Sequence, residues 1–229
     1  MTDLRVDWCS YEAAKYAVMH WHYSRTMPAG KLVKIGAWED DQYIGCVLFW
    51  RGANNHIGSP YDLRQTEVCE LVRIALTDHR APVSQIGAAS IGLLKEQSPE
   101  LRLIVSYADP EQDHVGSIYQ AMNWTYVGSS RPQRFALGPN GSIVHKKTIH
   151  SLYGSIKGLP KSKVLWKHKY LYPLDRAMRR QIEPLAQPYP KKQPCGPSVQ
   201  GDMPGVQPGE PGSSPGVRSM TGAMPELVG

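Results

Sequence analysis

Glu67-Val68-Cys69-Glu70-Leu71-Val72-Arg73-Ile74-Ala75-Leu76 is the stretch that decides the fold. Its large apolar residues form no stripe at helical spacing and favour β-branching, so it reads as a strand. Thr77–Pro82 then turns into a helix predicted from about Val83 to Gln97. Within that helix Ile86, Ser90, Leu93 and Leu94 recur at helical spacing, and Pro82 suits the first turn. Leu103–Tyr107 is an apolar strand that stops at Ala108-Asp109-Pro110. Strand, helix and strand in this order make a parallel pair joined by a crossover.

The segments on either side read as antiparallel. Upstream, Ser10 caps a helix over Tyr11–Val18 with Ala14, Ala17 and Val18 toward a core, and His20-Trp21-His22-Tyr23-Ser24-Arg25 follows. Val33–Glu39 and Tyr43–Trp50 flank Asp40-Asp41 as a β-hairpin, and residues 51–66 read as a loop. Downstream come a short helix over His114–Asn123 and a strand over Thr125–Ser130. Arg134–Leu137 and Ile143–Lys147 then flank the turn Gly138-Pro139-Asn140-Gly141. The expected class is α/β, a mixed sheet with helices on both faces.

Composition divides the 229 residues. From Pro184 to Gly229 there are ten prolines and eight glycines among 46 residues, with few large apolar side chains. Such a segment buries too little surface to offset its ordering entropy, so 184–229 is expected to be a disordered tail. Residues 1–156 are expected to form the catalytic domain. Residues 157–183 read as a basic arm: between Lys157 and Arg180, Lys157, Lys161, Lys163, Lys167, Lys169, Arg176, Arg179 and Arg180 stand against Asp175 alone. The whole chain carries only +6, so this cluster points to a polyanion. Its lysines together with Arg179 and Arg180 are candidate DNA contacts, and Trp166, Tyr170 and Tyr172 either stack on bases or anchor the arm. Cys9, Cys46, Cys69 and Cys195 show no C-x-x-C spacing. No signal peptide and no apolar run of about 18 residues is present, which points to the cytoplasm and to no membrane partner.

Sites in open α/β sheets gather beyond the carboxyl ends of the strands. Ser106, Tyr107 and Asp109 occupy that end of the Leu103 strand. Arg73, a cation in an apolar strand, either pairs with Glu70 or offers its planar fork to an anionic or carbonyl group; spacing alone gives the pairing the edge. Tyr119 either packs beside Ile118 and Met122 or aims its hydroxyl at the sheet opening. Trp21, Trp50 and Trp124 read first as core residues and second as stacking partners. No H-E-x-x-H or Cys/His set appears, so a structural zinc site has no support. Nor is there a P-loop, a G-x-G-x-x-G or a G-x-S-x-G, which removes nucleotide hydrolysis, dinucleotide redox chemistry and the hydrolase elbow.

Two resemblances follow. Residues His114-Val115-Gly116-Ser117-Ile118-Tyr119-Gln120-Ala121-Met122-Asn123-Trp124-Thr125-Tyr126-Val127-Gly128 resemble the closing helix and strand of GCN5-related acetyltransferases. That implies a mostly antiparallel twisted sheet. A sharper resemblance joins Ser106-Tyr107-Ala108-Asp109-Pro110 and the same helix to the Mom proteins of bacteriophages. Glu70-Leu71-Val72-Arg73, His22-Tyr23-Ser24 and Lys167-His168-Lys169-Tyr170-Leu171-Tyr172-Pro173-Leu174 are similar to that family as well.

Membership of that family implies conversion of adenine in double-stranded DNA to N6-(carbamoylmethyl)adenine, which shields phage DNA from host restriction in the host cytoplasm. It implies catalytic roles for Arg73, Asp109 and Tyr119, with Ser106 beside them. It also implies an iron ion (Fe2+), with His22, Tyr23 and Asp109 as candidate ligands. The acetyltransferase pattern carries a glycine-rich loop before the central helix for the pyrophosphate of coenzyme A. Thr77-Asp78-His79-Arg80-Ala81-Pro82-Val83 has no glycine there, which argues against a coenzyme A-type donor. Two other readings stay open: a coenzyme A-dependent N-acetyltransferase for a small amine or protein, and a non-catalytic DNA-binding module. The oligomeric state is open too, a homodimer included.

Overall fold

The structure, a computed structural model, describes residues 3–52, 56–131, 133–137, 143–145 and 162–192. In chain order its elements are β1 (Leu4–Trp8), α1 (Tyr11–Trp21), β2 (Leu32–Glu39), β3 (Gln42–Trp50), β4 (Val68–Leu76), α2 (Val83–Gln97) and β5 (Leu103–Ala108). Then follow α3 (Ser117–Ala121), β6 (Thr125–Ser129), β7 (Gln133–Leu137), β8 (Ile143–His145), β9 (Ser162–Leu165), β10 (His168–Pro173) and α4 (Arg176–Ile182). Seven strands make one mixed sheet in the order β1-β2-β3-β4-β5-β10-β6. Every neighbouring pair in it is antiparallel except β4 beside β5. Strands β8-β7-β9 form a separate small antiparallel sheet.

Local chemistry explains the helices. Ser10 accepts the Ala13 amide at 3.1 Å and starts α1. Ala14, Ala17 and Val18 then lie against Cys46, Leu48 and Ala75, small residues that let the helix approach β3 and β4 closely. Helix α2 covers the opposite face, where Ile86, Ile91 and Leu94 join Phe49, Leu71, Ile104, Trp124 and Tyr170. Helix α4, capped by Asp175 on the Met178 amide at 2.7 Å, buries Met178 and Ile182 against Val68, Leu103, Val105 and Leu171. Helices thus cover both faces of the sheet. Each large apolar side chain buried this way contributes about 1.5–3 kcal/mol.

The segment expected to be a basic arm contains part of the sheet instead. Strand β10 lies between β5 and β6, with Tyr170 opposite Ser106 on one side and Tyr126 on the other. Tyr170 and Leu171 are fully buried, so this stretch is core, held by two rows of ladder bonds. Order also runs past Pro184: the Gln187 amide donates to the Tyr126 carbonyl at 2.9 Å, and the Tyr189 hydroxyl donates to the Trp124 carbonyl at 2.8 Å. The remainder of the proposed tail, 193–229, lies outside the described residues. Strand β1 was not anticipated, and α3 is shorter than the helix read at 114–123. Among the described residues no helix is long and apolar enough to cross a membrane.

Gly116 places α3. It has φ +80°, and a Cβ there would lie 2.4 Å from the buried Tyr170 ring. Gly116→Ala is therefore expected to destabilise the fold by about 1–3 kcal/mol, read as a lower urea midpoint. An unchanged midpoint would contradict the packing described.

Candidate active site

Strands β4 and β5 pair in parallel only from Val68↔Leu103 to Leu71↔Ser106. A bulge in the β3–β4 ladder falls between Leu71 and Arg73, and beyond it β4 and β5 diverge. A cleft of about 430 Å³ opens in the gap, within the range of roughly 300–1,000 Å³ for small-molecule sites. One wall is Val72, Arg73 and Ile74, the other Tyr107, Ala108 and Asp109. Trp21, His22 and Tyr23 from the end of α1 and His114–Tyr119 close it.

Arg73 is half-buried. Its Nη1 donates to the Val72 carbonyl at 2.7 Å, while its Nε is buried with no hydrogen-bond partner among the described residues. The pairing with Glu70 favoured by spacing does not form among the described residues, and Arg73 acts on Glu70 through longer-range charge. An unpaired buried donor at a cleft wall is costly, about 1–3 kcal/mol, unless a ligand atom satisfies it.

Tyr119 is fixed from behind. Ser106 Oγ lies 2.8 Å from the Leu71 carbonyl oxygen and 2.7 Å from the Tyr119 oxygen. Serine has one proton and a carbonyl only accepts, so the serine proton goes to Leu71 and the neutral tyrosine donates to serine. Lone-pair density on the Tyr119 oxygen is left for the cleft. Burial pushes the Tyr119 hydroxyl up to about 12, despite the opposing bond with Ser106, so it is a phenol at neutral pH. Ser106 itself is fully buried and is a support, not a wall of the cleft.

Asp109 holds the turn after β5: its Oδ1 accepts the Glu111 amide at 3.1 Å, and its Oδ2 lies 3.2 Å from Lys167 Nζ. Lys167, read as part of an arm, thus pairs with a cleft residue. Asp113 and Lys192 form a second, exposed pair at the rim, 3.4 Å apart. Glu70, named in the sequence only as a partner for Arg73, is pushed up to about 7 by burial, against the pull of Lys167 and Arg73. Half-buried, with its charge felt by Tyr107 and Tyr119, it belongs to the electrostatics of this site. The signal was a carboxylate three residues before an arginine within an apolar strand.

His22, Tyr23 and Asp109 all border the cleft but, as arranged, do not fit an iron ion. The Ser24 amide donates to His22 Nδ1 at 3.1 Å, which puts the proton of the neutral ring on Nε2 and makes that nitrogen a donor. Asp109 accepts the Glu111 amide and pairs with Lys167, so its charge is already balanced by a cation. Tyr23 is 48% exposed, its ring 4.3 Å from His22 and 5.5 Å from His114. Among the described residues no three His, Cys, Asp or Glu side chains group closely enough for a metal.

The remaining cations disperse. Lys169 lies on the other side of the sheet from Tyr119, with Nζ 4.9 Å from the Tyr61 ring centre, and burial lowers its pKa. Arg179 and Arg180 are exposed in the last turn of α4. Lys163 stands in β9, and Lys157 and Lys161 lie outside the described residues. Of the three tryptophans considered as stacking partners, Trp21 lines the cleft, Trp124 is fully buried core and Trp50 borders a separate cavity beside β3.

The mixed sheet opens between its two parallel strands, and a polar constellation lines the opening. Residues 3–191 match the model of the Mom protein family, and the chain belongs to that family. The "Methylcarbamoylase mom" of Escherichia phage Mu is 26% identical over 206 residues, covering 82% of this chain and 84% of that protein. Among solved structures, an aminoglycoside acetyltransferase in complex with coenzyme A aligns with TM-score 0.47 at 9% identity, covering 80% of this chain and 98% of that one. An N-acyl amino acid synthase from uncultured soil microbes aligns with TM-score 0.46 at 11% identity, covering 79% and 95%.

The His22 geometry has a spectroscopic consequence. Burial, followed by the charges of Arg73, His114 and Lys167, lowers its pKa from 6.5 to about 4. The unfolded chain therefore binds the proton first. The stability this residue contributes is complete above pH 6.5, is lost as pH falls toward 4 and is constant below. Nitrogen-15 NMR at pH 7 is expected to show one tautomer protonated on Nε2, with a titration midpoint near 4. A midpoint near 6.5 would refute the burial.

Proposed function

We propose that this chain transfers a carbamoylmethyl group to N6 of adenine in DNA; its phage Mu relative is named a methylcarbamoylase. The observation that carries the proposal is the convergence of Arg73, Asp109 and Tyr119 on one cleft at the opening of the sheet. Family membership supports the same reading.

Adenine N6 is a weak nucleophile, paired within the duplex, and an enzyme acting on it must extrude the base at a cost of a few kcal/mol. Trp21 and the half-exposed Tyr23 at the mouth offer aromatic faces to a base leaving its stack. Arg73, which lines the cleft, donates from its guanidinium to the carboxamide oxygen of the incoming group. The Tyr119 oxygen, held by Ser106, accepts one N6–H and so aims the nitrogen lone pair at the methylene carbon. As the N–C bond forms, the bond from that carbon to its leaving group breaks and its electron pair departs with that group. Asp109 takes the N6 proton, and Lys167 beside it balances the charge. Exposed Arg179 and Arg180 suit phosphate contacts, which makes binding dependent on salt.

A non-catalytic DNA-binding module would have no use for an arginine with a buried, unpaired donor in the same cleft as a tyrosine held by a serine. Arg73→Ala and Asp109→Asn are each expected to lower adenine modification by about 10²-fold or more. Tyr119→Phe should lower it less, and each variant should still fold and bind DNA. Mass spectrometry of nucleosides from DNA of expressing cells provides the measurement. Full modification by a folded Arg73→Ala protein would remove the arginine from the chemistry, and no adenine adduct from the unmodified protein would refute the function.

A further inference from the structure

The loop from β4 into α2 leads to a helix start that binds anions well in principle, because its free amides and dipole end are positive. Helix α2 is 15 residues long, and Pro82 at its start provides neither an amide nor a side-chain cap. The two amides just before it are already engaged. Arg80 N–H donates to both oxygens of Glu39 at 3.0 Å, and Ala81 N–H donates to Oε1 at 2.6 Å. Glu39 stands at the end of β2, 6% exposed, far away in sequence but delivered to this point by the sheet. Its two backbone bonds hold it well below the usual carboxylate range, so it remains an anion.

The loop's own cation is also spent. Arg80 Nε lies 3.7 Å from Glu39, and its Nη2 is bonded to Asp40. Asp40 and Asp41 adopt φ +47° and +62°, and this left-handed turn brings Asp40 beside Glu39 at the loop. Asp40 is held there by the Asp3 amide as well, at 3.1 Å. An entering diphosphate would have to displace a buried carboxylate, would find no free guanidinium and would meet a second negative charge.

We propose that Glu39 is a built-in anion that fills the place where an acetyltransferase of this fold cradles a diphosphate, and that the donor of the transferred group carries no diphosphate handle. None of residues 77–84 lines the cleft, so donor recognition falls to the groups within it, Arg73 foremost. The statement about the donor rests on the transfer reaction proposed above. The statement about the anion site does not.

Calorimetry and thermal shift with the full chain test the proposal, using coenzyme A and inorganic pyrophosphate as probes. The unmodified protein is expected to bind neither saturably. Glu39→Gln, which removes the charge but leaves a carbonyl to accept from Ala81, should gain pyrophosphate affinity by roughly tenfold or more. Micromolar binding of coenzyme A to the unmodified protein, with shifts of its Arg80 and Ala81 amide resonances, would overturn the proposal. A folded Glu39→Gln protein with no gain would also overturn it, since Glu39 would not then be what excludes the anion. If that variant fails to fold, the unmodified protein decides alone. Neither result depends on adenine modification, so this proposal and the function fail separately.

Discussion

The end of parallel pairing after Leu71 and Ser106 is the constraint from which the site follows. A sheet that parts leaves backbone groups unpaired, and a buried carbonyl without a donor costs about as much as a lost hydrogen bond. Ser106 donates its one proton to the Leu71 carbonyl and so satisfies the last rung. The same oxygen receives the Tyr119 hydroxyl. One buried serine thus closes the ladder and fixes a functional side chain, joining the fold to the chemistry.

The surroundings keep the gap open. Strand β10 occupies the other edge of β5, so β5 has a partner along its length after β4 has left it. The bulge at Val72 puts Arg73 on the same side of the sheet as Glu70, although the two are three residues apart. Helix α1 delivers Trp21 and His22 to the mouth, and the left-handed Gly116 lets α3 start against Tyr170. The cleft therefore has walls from four distant parts of the chain, each fixed by its own packing.

Local periodicity revealed much of this and missed what depends on long-range pairing. The β4–α2–β5 unit, the β2–β3 hairpin and the Ser10 cap carry their signals within a few residues, and they stand where they were read. Asp109 was legible because a polar residue at the carboxyl end of a buried strand has few structural uses. Strand β10 was not, because Lys167-His168-Lys169-Tyr170 reads as charge interleaved with aromatics, and nothing local shows that Tyr170 meets Ser106. Lys167 was consequently assigned to an arm when it faces Asp109. Glu39 was hidden for the same reason: its partners lie 41 and 42 residues away.

Photocrosslinking of duplex DNA carrying 8-azidoadenine in place of adenine, followed by peptide mapping, asks most directly whether the base enters the gap between β4 and β5. Adducts are expected on the Trp21–Tyr23 and Tyr107–Tyr119 peptides and should fall with added adenine-containing duplex. Adducts confined to α4 or to the outer strands β1 and β2, with the cleft peptides unlabelled, would contradict the central claim.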